Sequence, residues 1–181
     1  EQPSAFAKVL GNISQSKPVC WYSKNVAWLM RPRFGTELAN LKYQALGREA
    51  QEALGIPQDR VLPIKKVITG LSPVAQAETY AICIDEEKIK NRSFGAQRSV
   101  FFHEACHVKY NDAAMINLSG LLSGVLAGVA TNYLIKMVKP EDKYQFLSVI
   151  AQITISAVAK HYTESKFAKF AERRADTEGL Y

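Results

Sequence analysis

A run of 23 residues without a charged side chain, residues 113–135, most constrains how this chain can fold. The run is rich in leucine and valine, and its length meets the criterion for a helix that crosses a lipid bilayer. Gly120, Gly124 and Gly128 are spaced four residues apart, which predicts a ridge of small residues along which another helix approaches closely. The run therefore predicts a long helix with a close helical neighbour.

A second uncharged stretch of 14 residues, 146–159, follows after a polar turn at residues 136–143. Two arrangements fit this apolar pair at residues 113–160: a hairpin dipping into a bilayer, or two helices packed on the helix that precedes the run as part of a hydrophobic core. Polar residues such as Asn117 and Asn132 dilute the first stretch, and the second is too short to span a bilayer unaided. We therefore favour a soluble or membrane-associated helical pair over an integral hairpin. For location, we favour membrane association or export to the periplasm or cell envelope over the cytoplasm.

The residues that carry chemistry concentrate just before this run, in the stretch FHEACH at residues 102–107. His103 and His107 are four residues apart, so on a helix both imidazoles leave the same face. Glu104 lies at the rim of that face, where it can act as a general base without binding a metal. His-Glu-x-x-His on one helix is typical of two zinc ligands and a general base. We therefore predict a zinc hydrolase, the alternative being a structural helix with incidental histidines.

The two histidines leave a zinc site incomplete, because catalytic zinc normally has three protein ligands and one open position. Glu172 and Asp176 are one helical turn apart, so they face the same side of a helix. We predict that Glu172 is the third ligand and that Asp176 accepts a hydrogen bond from the other ring N–H of a ligand histidine. His161 is the alternative ligand, and a solvated helix face is the alternative interpretation of the two carboxylates.

The remaining patterns predict an α+β fold. Apolar residues at helical spacing predict a helix over residues 37–54, and β-branched residues predict a strand over residues 61–69. A second strand is predicted over residues 80–85, and the helix that carries the histidines over residues 93–110. We expect one mostly helical domain over residues 1–181, in which a small sheet lies next to the metal-binding helix.

The second predicted strand comes shortly before the metal-binding helix, and a charged, turn-like segment through Arg92 follows it. We expect this strand to form the edge of a cleft, where an extended peptide adds by backbone hydrogen bonding. The alternative is an internal strand that touches no substrate. Residues 1–36 are weakly patterned and are treated as an N-terminal extension. The predicted substrate-binding residues are Tyr80, Ala81, Ile82, Cys83 and Ile84.

Charge and cysteine content limit which partners and which disulfides we expect for this chain. The net charge of +6 comes from Lys and Arg scattered along the chain, without a long basic run. No nucleic-acid-binding motif accompanies the charge, so we expect a polypeptide substrate and no nucleic acid. Cys20, Cys83 and Cys106 are odd in number and widely spaced, so no disulfide framework is predicted. Cys106 lies between the two histidines, and we expect it to face the core as a small apolar residue.

Two motifs together resemble those of a known group of peptidases. Residues 103–112 are similar to the motif of HtpX, Oma-type and CAAX prenyl protease metallopeptidases, in which a Lys and an Asp often follow the histidines. The segment ERRAD at residues 172–176 resembles their second motif, Glu-x-x-Ala-Asp, and residues 52–57 resemble the helix end that precedes their first strand. The apolar helical pair between the motifs is also similar, so the resemblance covers residues 37–180.

The resemblance implies a gluzincin endopeptidase with a zincin-like α+β fold and one Zn²⁺ ion per chain. It implies that His103, His107 and Glu172 bind the zinc and that Glu104 is the general base. It also implies that Asp176 orients one of the ligands without binding the zinc itself. The substrate would be extended or unfolded polypeptide.

The chain departs from the larger relatives after the second motif. Those relatives use a histidine or another donor there to stabilise the oxyanion, whereas residues 177–181 contain no histidine. Tyr162 and Tyr181 are the alternative donors. The departure keeps open a second hypothesis, a zinc-containing peptide-binding or chaperone-like module with little turnover. A third hypothesis, a structural membrane-associated protein, predicts no stoichiometric metal.

Overall fold

The computed structural model of the chain describes residues 37–67, 74–138 and 144–179 continuously, together with isolated positions between residues 9 and 21. Within these residues the protein is mostly helical and contains one small mixed sheet, so it is an α+β protein as predicted. The elements are, in chain order, α1 (Leu41–Ala53), a 3₁₀ turn (Gln58–Arg60), β1 (Ile64–Lys66), β2 (Ala75–Ala77), β3 (Ile82–Ile84), α2 (Glu86–Ile89), α3 (Phe94–Tyr110), α4 (Asp112–Val138) and α5 (Gln145–Glu178).

The sheet has the order β1-β3-β2, which corrects the prediction for the second strand. β3 lies in the middle, parallel to β1 and antiparallel to β2, with Cys83 aligned to Lys65 on one side and to Gln76 on the other. All three β3 residues are buried. The prediction that this strand is the edge of the sheet is therefore wrong, because both of its backbone edges are already paired.

One helix boundary differs from the prediction, and two short elements were not predicted. The first helix begins at Leu41 rather than at residue 37, because Leu38 is extended and bridges to Lys65. The charged segment after β3 contains the short helix α2, which Asp85 caps by accepting hydrogen bonds from two backbone N–H groups. β2 was not predicted at all. Its sequence Ala-Gln-Ala lacks the β-branched and aromatic residues that indicate a strand.

The core lies between α1, α3 and the sheet. Ile82 and Ile84 of β3 and Phe101 of α3 are fully buried, and Tyr43 of α1 stacks on Phe101. Gly47 permits this packing, since a Cβ atom at that position would overlap the Ile64 side chain. The helix that carries the two histidines is therefore fixed on its inner side by apolar contacts.

α3 begins and ends with side chains suited to those positions. Ser93 accepts a hydrogen bond from the backbone N–H of Ala96 at the start. Asn111 ends the helix in the left-handed conformation, with φ of 52°, which asparagine adopts more readily than most residues. The chain turns there, so that Asp112 starts α4 directly after α3.

The predicted single domain consists of two compact units. The first unit is Glu1–Ala114 together with Ala171–Tyr181, and the second unit is Met115–Phe170. The second unit corresponds closely to the apolar pair predicted at residues 113–160, and it holds most of α4 and the first part of α5. The C-terminal turns of α5 belong to the first unit.

Small and polar residues line the contact between the two helices of the second unit. Ser123 donates a hydrogen bond to the carbonyl of Ala159 at 3.2 Å, and Gln152 donates to the carbonyl of Gly128 at 3.1 Å. A Cβ atom added to Gly124 would lie 3.3 Å from the Ser156 carbonyl oxygen. The glycine ridge therefore faces α5, which is the helix that the spacing predicted.

Large apolar side chains of the second unit point outward. Leu126 is 68% exposed in the middle of α4, and Phe146 is 73% exposed near the start of α5. α4 is long and apolar enough to cross a membrane. Only 11% of its most apolar stretch of 18 residues is buried. This exposure is the opposite of what a core helix of a soluble protein has.

Candidate metal centre

The two motif histidines share one face of α3 and point toward the same space. The Nε2 atoms of His103 and His107 lie 3.2 Å apart. His107 is largely buried and His103 is half-buried, so the pair forms the floor of an open site.

Glu172 joins the histidines from the C-terminal part of α5. Its carboxylate oxygens lie 3.3 Å from His103 Nε2 and 3.7 Å from His107 Nε2. The three candidate ligand atoms are all within 4.8 Å of one another, so the group could hold a metal ion. His161, the alternative ligand, is exposed within the second unit and is not part of this group.

The other ring nitrogen of each histidine lies beside a carboxylate. Asp176 Oδ1 is 3.2 Å from His103 Nδ1, which is the place that the sequence suggested for this residue. Asp112 Oδ2 is 2.8 Å from His107 Nδ1, and this aspartate is buried. Carboxylates in these positions select the tautomer that leaves both Nε2 lone pairs free for a metal.

Asp112 is a residue of the candidate site that the residue-by-residue interpretation missed. Its only sequence signal is the Asp that often follows the histidines in the similar peptidases. Burial alone would lower the pKa of the His107 imidazole. The hydrogen bond to Asp112 and the nearby carboxylates of Glu104 and Glu172 outweigh burial, so the pKa is raised.

Glu104 is buried beside the two histidines and is held by the sheet. The backbone N–H of Ala77 in β2 donates a hydrogen bond to Glu104 Oε2 at 2.5 Å. Burial raises the pKa of the Glu104 carboxyl, although His107, His103 and the Ala77 hydrogen bond act in the opposite direction. A carboxylate whose pKa is raised is a stronger base than an ordinary one, which suits the role of general base expected for Glu104.

β2 presents its free edge to this centre. The carbonyl of Val74 accepts from the Asp85 N–H at 2.9 Å, and the N–H of Glu78 donates to the Ala81 carbonyl at 2.8 Å. Alternate residues of an antiparallel strand turn their backbone groups to opposite sides, so those of Ala75 and Ala77 point away from β3. The Ala77 N–H that reaches Glu104 is one of these groups.

Two cavities flank the centre along β2. One, of about 90 Å³, is lined in part by Ala77, Glu78 and His107. The other, of about 240 Å³, is lined in part by Ala75 and His103 together with Glu104. The edge of β2 therefore passes from one cavity to the other past the general-base candidate.

Glu78 is a half-buried carboxyl in the smaller cavity. Burial, with a further contribution from the Glu104 carboxylate, raises the pKa of Glu78 above its ordinary value of 4.5. Cys106 of α3 is buried, as expected, and its sulfur lies 4.0 Å from Glu178 Oε2. Burial, followed by the Glu178 carboxylate, raises the pKa of the Cys106 thiol to about 12, so it remains an uncharged thiol at neutral pH.

The remaining predicted site residues are not brought to the centre. Ala81, Ile82, Cys83 and Ile84 are buried in or beside the middle strand, and Tyr80 is half-buried beside Cys83. Tyr162 is an exposed residue of the second unit, and Tyr181 lies outside the described residues. Comparison of the chain with protein-family models, curated proteins and solved structures finds no match.

Proposed function

We propose that the protein is a zinc-dependent endopeptidase that hydrolyses extended or unfolded polypeptide. The observation that carries the proposal is the spacing of the three donor atoms beside a buried glutamate. Four ligands placed tetrahedrally at about 2.05 Å from zinc lie about 3.3 Å from one another. The Nε2 atoms of His103 and His107 are 3.2 Å apart, and the two oxygens of Glu172 lie 3.3 Å from His103 Nε2 and 3.7 Å from His107 Nε2, respectively.

The donor chemistry supports zinc in particular. Two imidazoles and one carboxylate, with a fourth position left open, are a frequent ligand set of catalytic zinc in peptidases. Glu172 is exposed, so one side of the centre is open to solvent and substrate. When bound, zinc supplies a Lewis acid that activates a water molecule and polarises the scissile carbonyl.

Residues of the chain carry out proton transfer and substrate binding. Glu104 takes the proton of the attacking water and gives it to the leaving amine, and the Ala77 N–H holds its carboxylate in place. An extended substrate adds to the free edge of β2 through the backbone groups of Ala75 and the carbonyl of Ala77, whose N–H is held by Glu104. Its side chains enter the two flanking cavities. The two motifs support the finer assignment to a gluzincin with a zincin-like fold.

The test is metal content and casein cleavage on the same purified samples. The wild-type chain is expected to contain one zinc ion and to cleave casein until a chelator is added. Glu104→Gln should keep the zinc and lose about 10²–10⁴-fold of the activity, since it removes only the proton acceptor. Glu172→Gln should lose zinc and activity together, whereas Glu52→Gln, at an exposed position of α1, is the matched control.

Each contrary result has a distinct meaning. Cleavage that survives Glu104→Gln would refute the mechanism. Zinc without cleavage in the wild type would favour the alternative of a zinc-containing peptide-binding or chaperone-like module. Absence of zinc would return His103 and His107 to ordinary structural residues.

We also propose that the second unit associates with a lipid bilayer. Its helices contact each other through glycine, serine and glutamine, and they turn leucine, isoleucine and phenylalanine outward. α4 has 27 residues and is therefore about 40 Å long, more than the roughly 30 Å of bilayer hydrocarbon. The net charge of +6 favours a membrane with anionic lipids.

A further inference from the structure

Arg174 lies in the first unit on the same turn of α5 as the proposed ligand Glu172. Its side chain is only 12% exposed, and it forms an ion pair with Asp112 Oδ1. Its guanidinium carbon lies 3.7 Å from the centre of the Tyr110 ring, so the group stacks on the last residue of α3. The planar guanidinium group thus contacts a carboxylate and an aromatic ring at the same time.

The two oxygens of Asp112 have different partners. Oδ1 meets Arg174, and Oδ2 lies 2.8 Å from His107 Nδ1. Because the Asp112 side chain is 8% exposed, little water competes for these positions. The aspartate is therefore turned and held by the arginine, and it in turn selects the ring nitrogen of His107 that carries the proton.

A second contact fixes the same helical segment. The hydroxyl of Tyr110 donates a hydrogen bond to Glu178 Oε2 at 2.7 Å, four residues beyond Arg174. Tyr110 is thus stacked by one residue of α5 and hydrogen-bonded by another. The part of α5 that carries Glu172 is in this way tied to the end of the helix that carries His107.

We propose that Arg174 is a positioning residue for the metal centre. It acts through Asp112 to keep His107 in the tautomer with the proton on Nδ1, so that Nε2 faces His103 and Glu172. Its effect on zinc affinity rests on the proposed function. Its effect on the tautomer is a property of the metal-free protein and is independent of the proposed function.

The experiment measures both effects on one set of variants. The tautomer of His107 is determined by ¹⁵N NMR of the metal-free, histidine-labelled protein, and the zinc dissociation constant by competition with a chromophoric chelator. Arg174→Gln is expected to reduce the Nδ1–H form and to weaken zinc binding about 10-fold. Arg173→Gln, which removes the same charge from an exposed neighbouring position, should change neither.

Two further variants test the route through the aspartate. Asp112→Asn should weaken zinc binding about 10–100-fold. Adding Arg174→Gln to it should weaken binding no further, because the arginine has no carboxylate left to hold. Arg174→Lys keeps the charge and loses the planar fork, so it should restore part of the affinity.

Several outcomes would overturn the proposal. An unchanged tautomer and zinc dissociation constant in Arg174→Gln would do so, and so would additive losses in the double variant. If Arg174→Gln does not fold, an Arg174→Lys protein with wild-type values would be decisive against it. A wild-type chain without zinc affinity would refute the proposed function, while the tautomer measurement would still decide the role of Arg174.

Discussion

The two compact units of this chain sort their residues in opposite ways. In the first unit, Phe101 is fully buried and the charged residues of α1 face solvent. In the second unit, Leu126 and Phe146 are exposed, while Ser123 and Gln152 reach across to the facing helix. Large apolar side chains are thus buried in the first unit and exposed in the second, and the boundary between the two patterns lies near the start of α4.

The difference supports the proposal that the second unit, unlike the first, associates with lipid. Burial of apolar side chains stabilises the first unit in water. In the second unit, hydrogen bonds and close glycine contacts join the helices, as is typical of helices in a lipid environment. Two of the polar residues buried in the first unit, Glu104 and Asp112, lie beside the histidines of the candidate metal centre.

The largest expected effect is on the free energy of unfolding, when a phenyl group is removed from each unit in turn. Phe101→Ala leaves a cavity in the core of the first unit, so the free energy of unfolding should fall by about 3–5 kcal/mol. Phe146→Ala removes a side chain that is already exposed, so the change should stay within about 0.5 kcal/mol. Chemical denaturation of the purified proteins measures both. Equal losses would mean that both units have a packed apolar interior, and the comparison would fail.

The next effect tests the outward face of the second unit. Leu126→Arg places a charge in the middle of α4, which costs about 3 kcal/mol in a bilayer, or roughly 100-fold in partitioning. Flotation with vesicles of zwitterionic and anionic lipids measures the bound fraction. Leu41→Arg, at an exposed position of α1 in the first unit, is the control and should float like the wild type. Equal flotation of both variants, or no flotation of the wild type, would contradict membrane association.

The smallest effect sharpens the contrast by testing the half-buried carboxyl of Glu78. Its raised pKa means that the folded chain holds the proton more tightly than the unfolded chain. Stability from this group is therefore present at low pH and is lost as the pH rises above about 4.5. Glu78→Gln should stabilise the first unit at pH 7 by about 0.5 kcal/mol and leave it unchanged at pH 4.

Thermal unfolding at the two pH values checks this prediction. Glu52→Gln, at an exposed position, should show no such dependence on pH. A loss of stability in Glu78→Gln at pH 7 would mean that the ionised carboxylate makes contacts stronger than its cost of burial.

Local patterns were enough to predict part of this structure. The four-residue spacing of His103 and His107 predicted a shared helix face, and the length of the uncharged run predicted α4. Both signals are properties of a single helix, so they need no knowledge of the rest of the fold. The same holds for Glu172 and Asp176, which lie one turn apart.

Features that depend on pairing between distant segments were missed. β2 has three residues of low strand propensity, and it is a strand only because it pairs with β3. Because β2 was missed, β3 was wrongly predicted to be the edge of the sheet. Asp112 reaches His107 because Asn111 adopts a left-handed conformation. Arg174 reaches Asp112 only because the end of α5 packs beside the end of α3. No periodicity in the sequence records these contacts.

The continuity of α5 has a consequence for the order of events during synthesis. His103 and His107 leave the ribosome first, and all of Met115–Phe170 must be made before Glu172 appears. At about 5–20 residues per second, this interval lasts several seconds. A nascent chain therefore holds two of the three proposed ligands while its apolar helices emerge. The proposed metal centre is therefore complete only after the helices of the second unit have been translated.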